Sequence, residues 1–238
     1  MKTTVSLLSL SLLFLFTACN KPKEQQAGTP VNFYFSQDSI TCTLQAEVAE
    51  ASLSQAVGEW MNELLGGKYS GDATDMQAIV DFYGKALCDT LRQDQSNSLT
   101  GEMEFDAVME KTYETSQYVT YSLSTYMDLG GAHPASSDRG ATFRKSDGQR
   151  LSWDILNADA RQLFNDILVE MLSGYIDIDE GADIPLPSTP PYFVEDGVVV
   201  IYQEYEIGPY AIGMPTDTIP YERILPLMTD WAQQLISE

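Results

Sequence analysis

One histidine, three cysteines and 13 lysines and arginines against 35 acids in 238 residues are the chain's chief shortages. Each closes a class of chemistry. A lone imidazole, His133, cannot build the usual two-histidine zinc centre of a hydrolase, and no cysteine stands in the Cys-x-x-Cys spacing that holds zinc or runs dithiol exchange. No cofactor and no metal are therefore expected. Gly-x-Ser-x-Gly, His-Glu-x-x-His and phosphate-loop patterns are missing as well. The scarcity of cations leaves a net charge of −22, which repels nucleic acid and anionic headgroups; it reads either as attraction for a basic protein or as a surface that only keeps the protein soluble.

Long apolar runs are also absent, save one at the amino end. Lys2 precedes an apolar stretch over residues 5–16, and Thr17-Ala18-Cys19 closes it. The stretch falls short of the roughly 20 residues that a membrane-spanning helix needs. A basic start, an apolar middle and small residues before a cut read as an export signal. With cysteine at that point the pattern resembles a bacterial lipobox, in which Cys19 becomes the lipidated first residue of the mature protein; an ordinary cleaved signal is the alternative. Residues 1–18 are thus expected as a lipoprotein signal peptide, and the Cys19 lipid as the membrane contact. Residues 19–30 contain no large apolar side chain and are expected as a flexible tether. The expected place is the envelope of a bacterium, at its outer membrane, on the periplasmic or the surface side. Export leaves Cys42 and Cys88 as an even pair where a bridge persists; they read either as a disulfide or as two buried thiols.

From Val31 the pattern is that of a packed α+β fold, an antiparallel sheet with helices on one face, in two subdomains over residues 31–100 and 101–238. Alternating apolar residues predict strands at 31–35 and 42–48, and helical spacing predicts helices at 53–65, behind Ser52 as cap, and at 76–91. Period-two stretches at 103–114, 117–129 and 139–145 predict long strands, followed by a helix at 163–172 and an irregular loop at 177–191. A hairpin is expected from 192–194 into a strand over 198–207, and a last helix after Pro220, interrupted by Pro226. The acids of Asp177-Ile178-Asp179-Glu180-Gly181-Ala182-Asp183 do not meet the EF-hand spacing, so they read as a solvated loop.

Two segments carry candidate ligand-binding residues. In Gly130-Gly131-Ala132-His133-Pro134 the proline confines His133 to extended backbone and so aims its ring, for titration or for a structural hydrogen bond. In Tyr205-Glu206-Ile207-Gly208-Pro209-Tyr210-Ala211-Ile212-Gly213 the sharp turn sets Tyr205 and Tyr210 about Glu206, as a binding platform or as a core corner. Paired acids such as Glu204 and Glu206, two apart on the expected strand, could serve a cell-wall hydrolase with His133.

Together these two segments resemble the domain family of the RsiV extracellular region and the PdaC N-terminal region, over residues 103–236 in matching order. The residues that match include Asp147-Gly148, Trp153-Asp154 and Ile219-Pro220-Tyr221-Glu222. The resemblance implies an exported α+β module. It also implies a protein or glycan ligand, since the RsiV module binds lysozyme. The partner expected on these grounds is a basic protein such as lysozyme, or a cell-wall glycan. The function expected is non-catalytic binding, with a peptidoglycan hydrolase or accessory factor as the alternative.

Overall fold

The computed structural model describes residues 25–179 and 181–236. The expected signal peptide, Cys19 and the first residues of the expected tether lie outside the described residues. Strands β1 (Pro30–Gln37) and β2 (Ile40–Glu47) form a hairpin closed by Asp38 and Ser39, both at positive φ, 54° and 62°. That is the two-residue turn whose twist suits paired strands. Helices α1 (Ser54–Leu64) and α2 (Met76–Asp94) then carry the chain across to β3 (Met103–Glu114), which runs parallel to β2. β4 (Tyr118–Asp128) and β5 (Ala135–Arg144) complete a meander, and the order is β1-β2-β3-β4-β5. The class is α+β, but the sheet is mixed where an antiparallel one was expected. The helical crossover carries the chain from the end where β2 finishes back to the end where it began, which makes the next strand parallel.

Alternate residues of the strands fill a core under the helices. Ile40, Cys42, Leu44 and Ala46 from β2 and Met103, Phe105, Ala107 and Met109 from β3 pack with Trp60, Met61, Ile79, Val80 and Tyr83. Gly84 admits the Phe33 ring, which would lie 2.2 Å from a Cβ there. Asp75, the residue before α2, accepts from the Ala78 amide at 3.0 Å, while α1 starts at Leu53 with no side-chain cap, so the expected Ser52 cap is not formed. The tether ends earlier than expected. Gln25 bonds Asp75 and the Met76 amide, and Gly28 and Thr29 pair with Val48, extending the hairpin.

The remaining chain builds a second core. Helix α3 (Arg161–Leu172), the three-stranded sheet β6 (Tyr192–Phe193), β7 (Gly197–Ile201), β8 (Thr216–Pro220), and the short helices α4 (Tyr221–Ile224) and α5 (Asp230–Gln234) enclose Phe164, Leu168, Phe193, Val198, Tyr202, Ile219 and Met228. Tyr118 is its one buried member from before residue 150. The cores therefore part after β5 and not at residue 100, because β3, β4 and β5 share both ladder and core with β2.

The second unit covers one end of the sheet face opposite α1 and α2. There Gly140 leaves room for the Tyr192 ring, and Thr120 and Thr142 receive the Phe193 backbone. The proton count closes without remainder. The Phe193 N–H donates to Thr142 Oγ1 at 2.8 Å, the Thr142 hydroxyl to Thr120 Oγ1 at 2.8 Å, and the Thr120 hydroxyl to the Phe193 carbonyl at 2.8 Å. Two fully buried hydroxyls and two backbone groups are thus satisfied at once, which is what permits their burial.

At the same end of the sheet Glu114 accepts from Lys111 Nζ, 2.6 Å away, and from Lys145. These bonds hold its carboxyl down to about 2, against an ordinary 4.5. A depressed acid stabilises the fold above its unfolded pKa and loses that contribution as pH falls through the folded one. Chemical unfolding of the wild type and Glu114→Gln should therefore differ by about 1 kcal/mol near neutrality, since the pair is partly exposed. The gap should close as pH falls from 4.5 towards about 2. A gap that persists at the acid limit would remove the ion pairs as its cause.

Candidate functional site

Beyond the part covered by the second unit, the sheet face away from α1 and α2 is open. The registers align Tyr34, Thr43, Asp106, Tyr126 and Ser136 across it, and beside them Ser36, Thr41, Glu104 and Asp128. Glu110 follows Glu104 and Asp106 along β3 on the same face. Glu104, Asp106, Glu110 and Asp128 enter no ion pair among the described residues. Asp128 accepts the Gly130 amide at 2.7 Å, which starts the turn that leads to His133. Tyr34 is 70% exposed.

At the β4–β5 end of this face three rings meet. His133 stacks on Tyr210, with centroids 3.8 Å apart and planes at 18°, and Tyr205 lies 6.0 Å from Tyr210. His133 Nδ1 is 2.8 Å from the Pro134 carbonyl and Nε2 is 2.9 Å from the Tyr205 hydroxyl. A carbonyl only accepts, so Nδ1 bears the proton; in the neutral ring Nε2 then accepts from Tyr205, and in the cation it donates. Tyr205 is 58% exposed and sits at φ 65°, a left-handed conformation costly for a bulky residue. Tyr126 adjoins the cluster. Its hydroxyl pKa is raised, first by desolvation, then by Asp128, Glu104 and Tyr210.

Three of the four expected ligand residues, His133, Tyr205 and Tyr210, are brought together at the surface, and Glu206 is not. The strand expected to run to residue 207 ends at Ile201. Residues 204–206 form a turn, in which the Glu206 carboxylate accepts from the Gln203 amide at 2.8 Å and from the amide and hydroxyl of Ser188. Glu204 accepts from the Ser136 amide at 3.1 Å. The two acids therefore do not share a strand face, and no hydrogen bond joins either of them to His133 among the described residues. They tie loops to the sheet.

Cys42 and Cys88 are free and buried, side by side where α2 crosses β2. Burial and then the Cys88 neighbour push the Cys42 thiol up to about 12. A thiol held so firmly in its neutral form is a core side chain and a poor nucleophile. Of the two readings open from the sequence, buried thiols is the one the structure holds. The acid row across the open face escaped the sequence reading, because it depends on which face of β3 the two helices cover and on the β3–β4 register that sets Asp128 beside Glu104. Its only linear trace is the alternation Glu104, Asp106, Val108, Glu110 against an apolar partner set.

Residues 151–222 match the model of a family described as "Protein of unknown function (DUF3298)". Among solved structures, a DUF3298 family member from Bacteroides fragilis is 17% identical, with a TM-score of 0.59 over 88% of this chain and 98% of that one. A DUF3298 family protein from Pseudomonas aeruginosa is 15% identical, with a TM-score of 0.60 over 87% and 97%. At such identities the likeness speaks for the fold. No curated protein matches the chain. The matched stretch includes Tyr205 and Tyr210, whereas His133 reaches them from the preceding sheet. Residues 151–222 thus match the DUF3298 model, within a fold that two structures of that family share and in keeping with the resemblance seen in the chain's motifs.

Proposed function

We propose that this chain is a non-catalytic binding module of the bacterial envelope, tethered through the Cys19 lipid, that takes a basic protein on its open acidic sheet face. The observation that carries this reading is the union of four uncompensated acids with a cluster of three rings at their border, His133 and Tyr205 exposed and Tyr210 half-buried. Acids of one sign steer a cationic partner and set its orientation, while aromatic side chains supply the desolvated anchors of a contact. A net charge of −22 extends the same field over the whole surface. The engagement of Glu204 and Glu206 with backbone amides supports binding over hydrolysis. A cell-wall glycan is the second reading, favoured by the flat His133–Tyr210 stack beside the Tyr205 hydroxyl.

Lysozyme is the basic protein to try first, given the resemblance. Its affinity for the chain should fall about tenfold or more between roughly 20 and 300 mM salt, as the screening length shortens. Glu104→Gln with Asp106→Asn and Glu110→Gln should weaken binding at low salt and flatten that dependence. No complex at low salt removes the lysozyme reading. Salt-independent binding of a soluble glycan in its place selects the second one.

A further inference from the structure

On the helix side of the sheet a cavity of about 160 Å³ lies between Trp60 and Leu64 of α1, Arg139 of β5, Arg150 and the loop at residues 188–190. A cavity near this size holds a molecule of about six heavy atoms in other proteins. Its walls combine apolar surface from Trp60, Leu64 and Pro190 with the hydroxyls of Ser188 and Thr189.

The charge balance of the cavity is unusual for so acidic a chain. Arg92, Arg144, Arg150, Arg161 and Arg223 each pair with a carboxylate, on Asp89, Asp147, Glu63, Asp183 and Glu170. Arg139 is the one arginine of the described residues with no such partner, although it is half-buried. Its bond is to Thr189 Oγ1 at 3.3 Å, and that hydroxyl also accepts from Gln203 Nε2 at 3.2 Å. A guanidinium carries five N–H donors in a planar fork, so most of this one's capacity is unused by side-chain partners. Arg150, the other cation of the cavity, is already neutralised by Glu63 at 2.9 Å. One positive charge is therefore uncompensated.

We infer that the cavity binds the carboxylate of a small acid or of a peptide C-terminus, held by the Arg139 fork, with a short alkyl group against Trp60 and Leu64. The inference does not depend on the open face or on its partner. A planar monoanion matches the fork in shape and cancels the single charge, whereas a phosphate dianion would leave a negative charge facing Glu63. The 188–190 loop lies in the stretch that matches the DUF3298 model and Trp60 in the sheet's helices, so a bound carboxylate would bridge the two units and raise the unfolding temperature.

The test is titration of the chain with acetate, propionate, acetamide, phosphate, Ala-Ala and Ala-Ala amide, followed by calorimetry and by tryptophan fluorescence. Acetate or propionate should bind and acetamide should not, and Arg139→Gln should weaken binding at least tenfold, with Arg139→Lys in between. Binding of Ala-Ala but not of its amide assigns the site to a peptide C-terminus; binding of the free acids without Ala-Ala assigns it to a small acid. The comparison of acid with amide needs no variant, so it stands even if Arg139→Gln fails to fold. Equal binding of acetamide, tighter binding of phosphate than of every carboxylate, full affinity in folded Arg139→Gln, or no carboxylate bound at about 50 mM would each overturn the inference.

Discussion

Gly140→Ala should cost the fold about 3 kcal/mol, at the upper end for an overpacked core site, and loosen the second unit from the sheet. A Cβ at this position would stand 2.3 Å from Cγ and Cδ1 of Tyr192 and 2.5 Å from Cδ2. Those atoms lie near the root of the ring, where no rotation about a distal bond clears them, and Tyr192 is only 8% exposed. Shifting Tyr192 also moves Phe193, whose backbone closes the hydrogen-bond ring with Thr120 and Thr142. Buried hydroxyls that lose partners add to the cost. Gly174→Ala is the control, since a Cβ there meets nothing closer than the Met171 carbonyl at 3.8 Å; it should change stability by less than about 0.5 kcal/mol. Urea unfolding of the two variants gives the comparison, and equal midpoints would contradict the account of how the units join.

Tyr205→Gly should separate binding from stability. Releasing a tyrosine from φ 65° returns about 1 kcal/mol of strain. Glycine's extra freedom in the unfolded chain removes about 0.5–1 kcal/mol. The two nearly cancel for a side chain that is 58% exposed, so the unfolding free energy should stay within about 1 kcal/mol of the wild type. The ring and its hydroxyl bond to His133 are lost outright, and an anchoring aromatic is worth about 2 kcal/mol or more at a contact, at least tenfold in affinity. Lysozyme titration beside thermal unfolding tests this. Unchanged affinity would move the contact away from the rings; a large loss of stability would make Tyr205 a fold determinant.

Elements with strong periodicity were legible in the sequence, and their pairings were not. The helices around Trp60 and Tyr83, the long strands ending at Glu114 and Asp128, and the helix carrying Phe164 all stand within a few residues of where spacing puts them. The strand expected through residue 207 misled because the apolar and aromatic run Val198–Tyr202 passes the end of the ladder at Ile201 and Tyr205 follows soon after. Tyr202 instead points into the second core, and the chain turns at Tyr205. A positive φ on a tyrosine leaves no mark on composition. The domain division at residue 100 failed for a related reason. The break in pattern there is a change of element, while the division of cores is set by which strands share a ladder. At the site, His133 and Tyr210 were visible as unusual residues on glycine-rich turns, but their stacking depends on how the second unit rests on β4 and β5, a long-range fact.

Hydrogen exchange of the chain alone and with lysozyme at low salt puts the central claim to its most direct trial. Protection should rise along β3 at residues 104–110, along the end of β4 and the turn at 126–133, and in the loop at 205–210, with α1 and α2 unchanged. A complex that forms but protects the helices and leaves those three segments exchanging as before would contradict it.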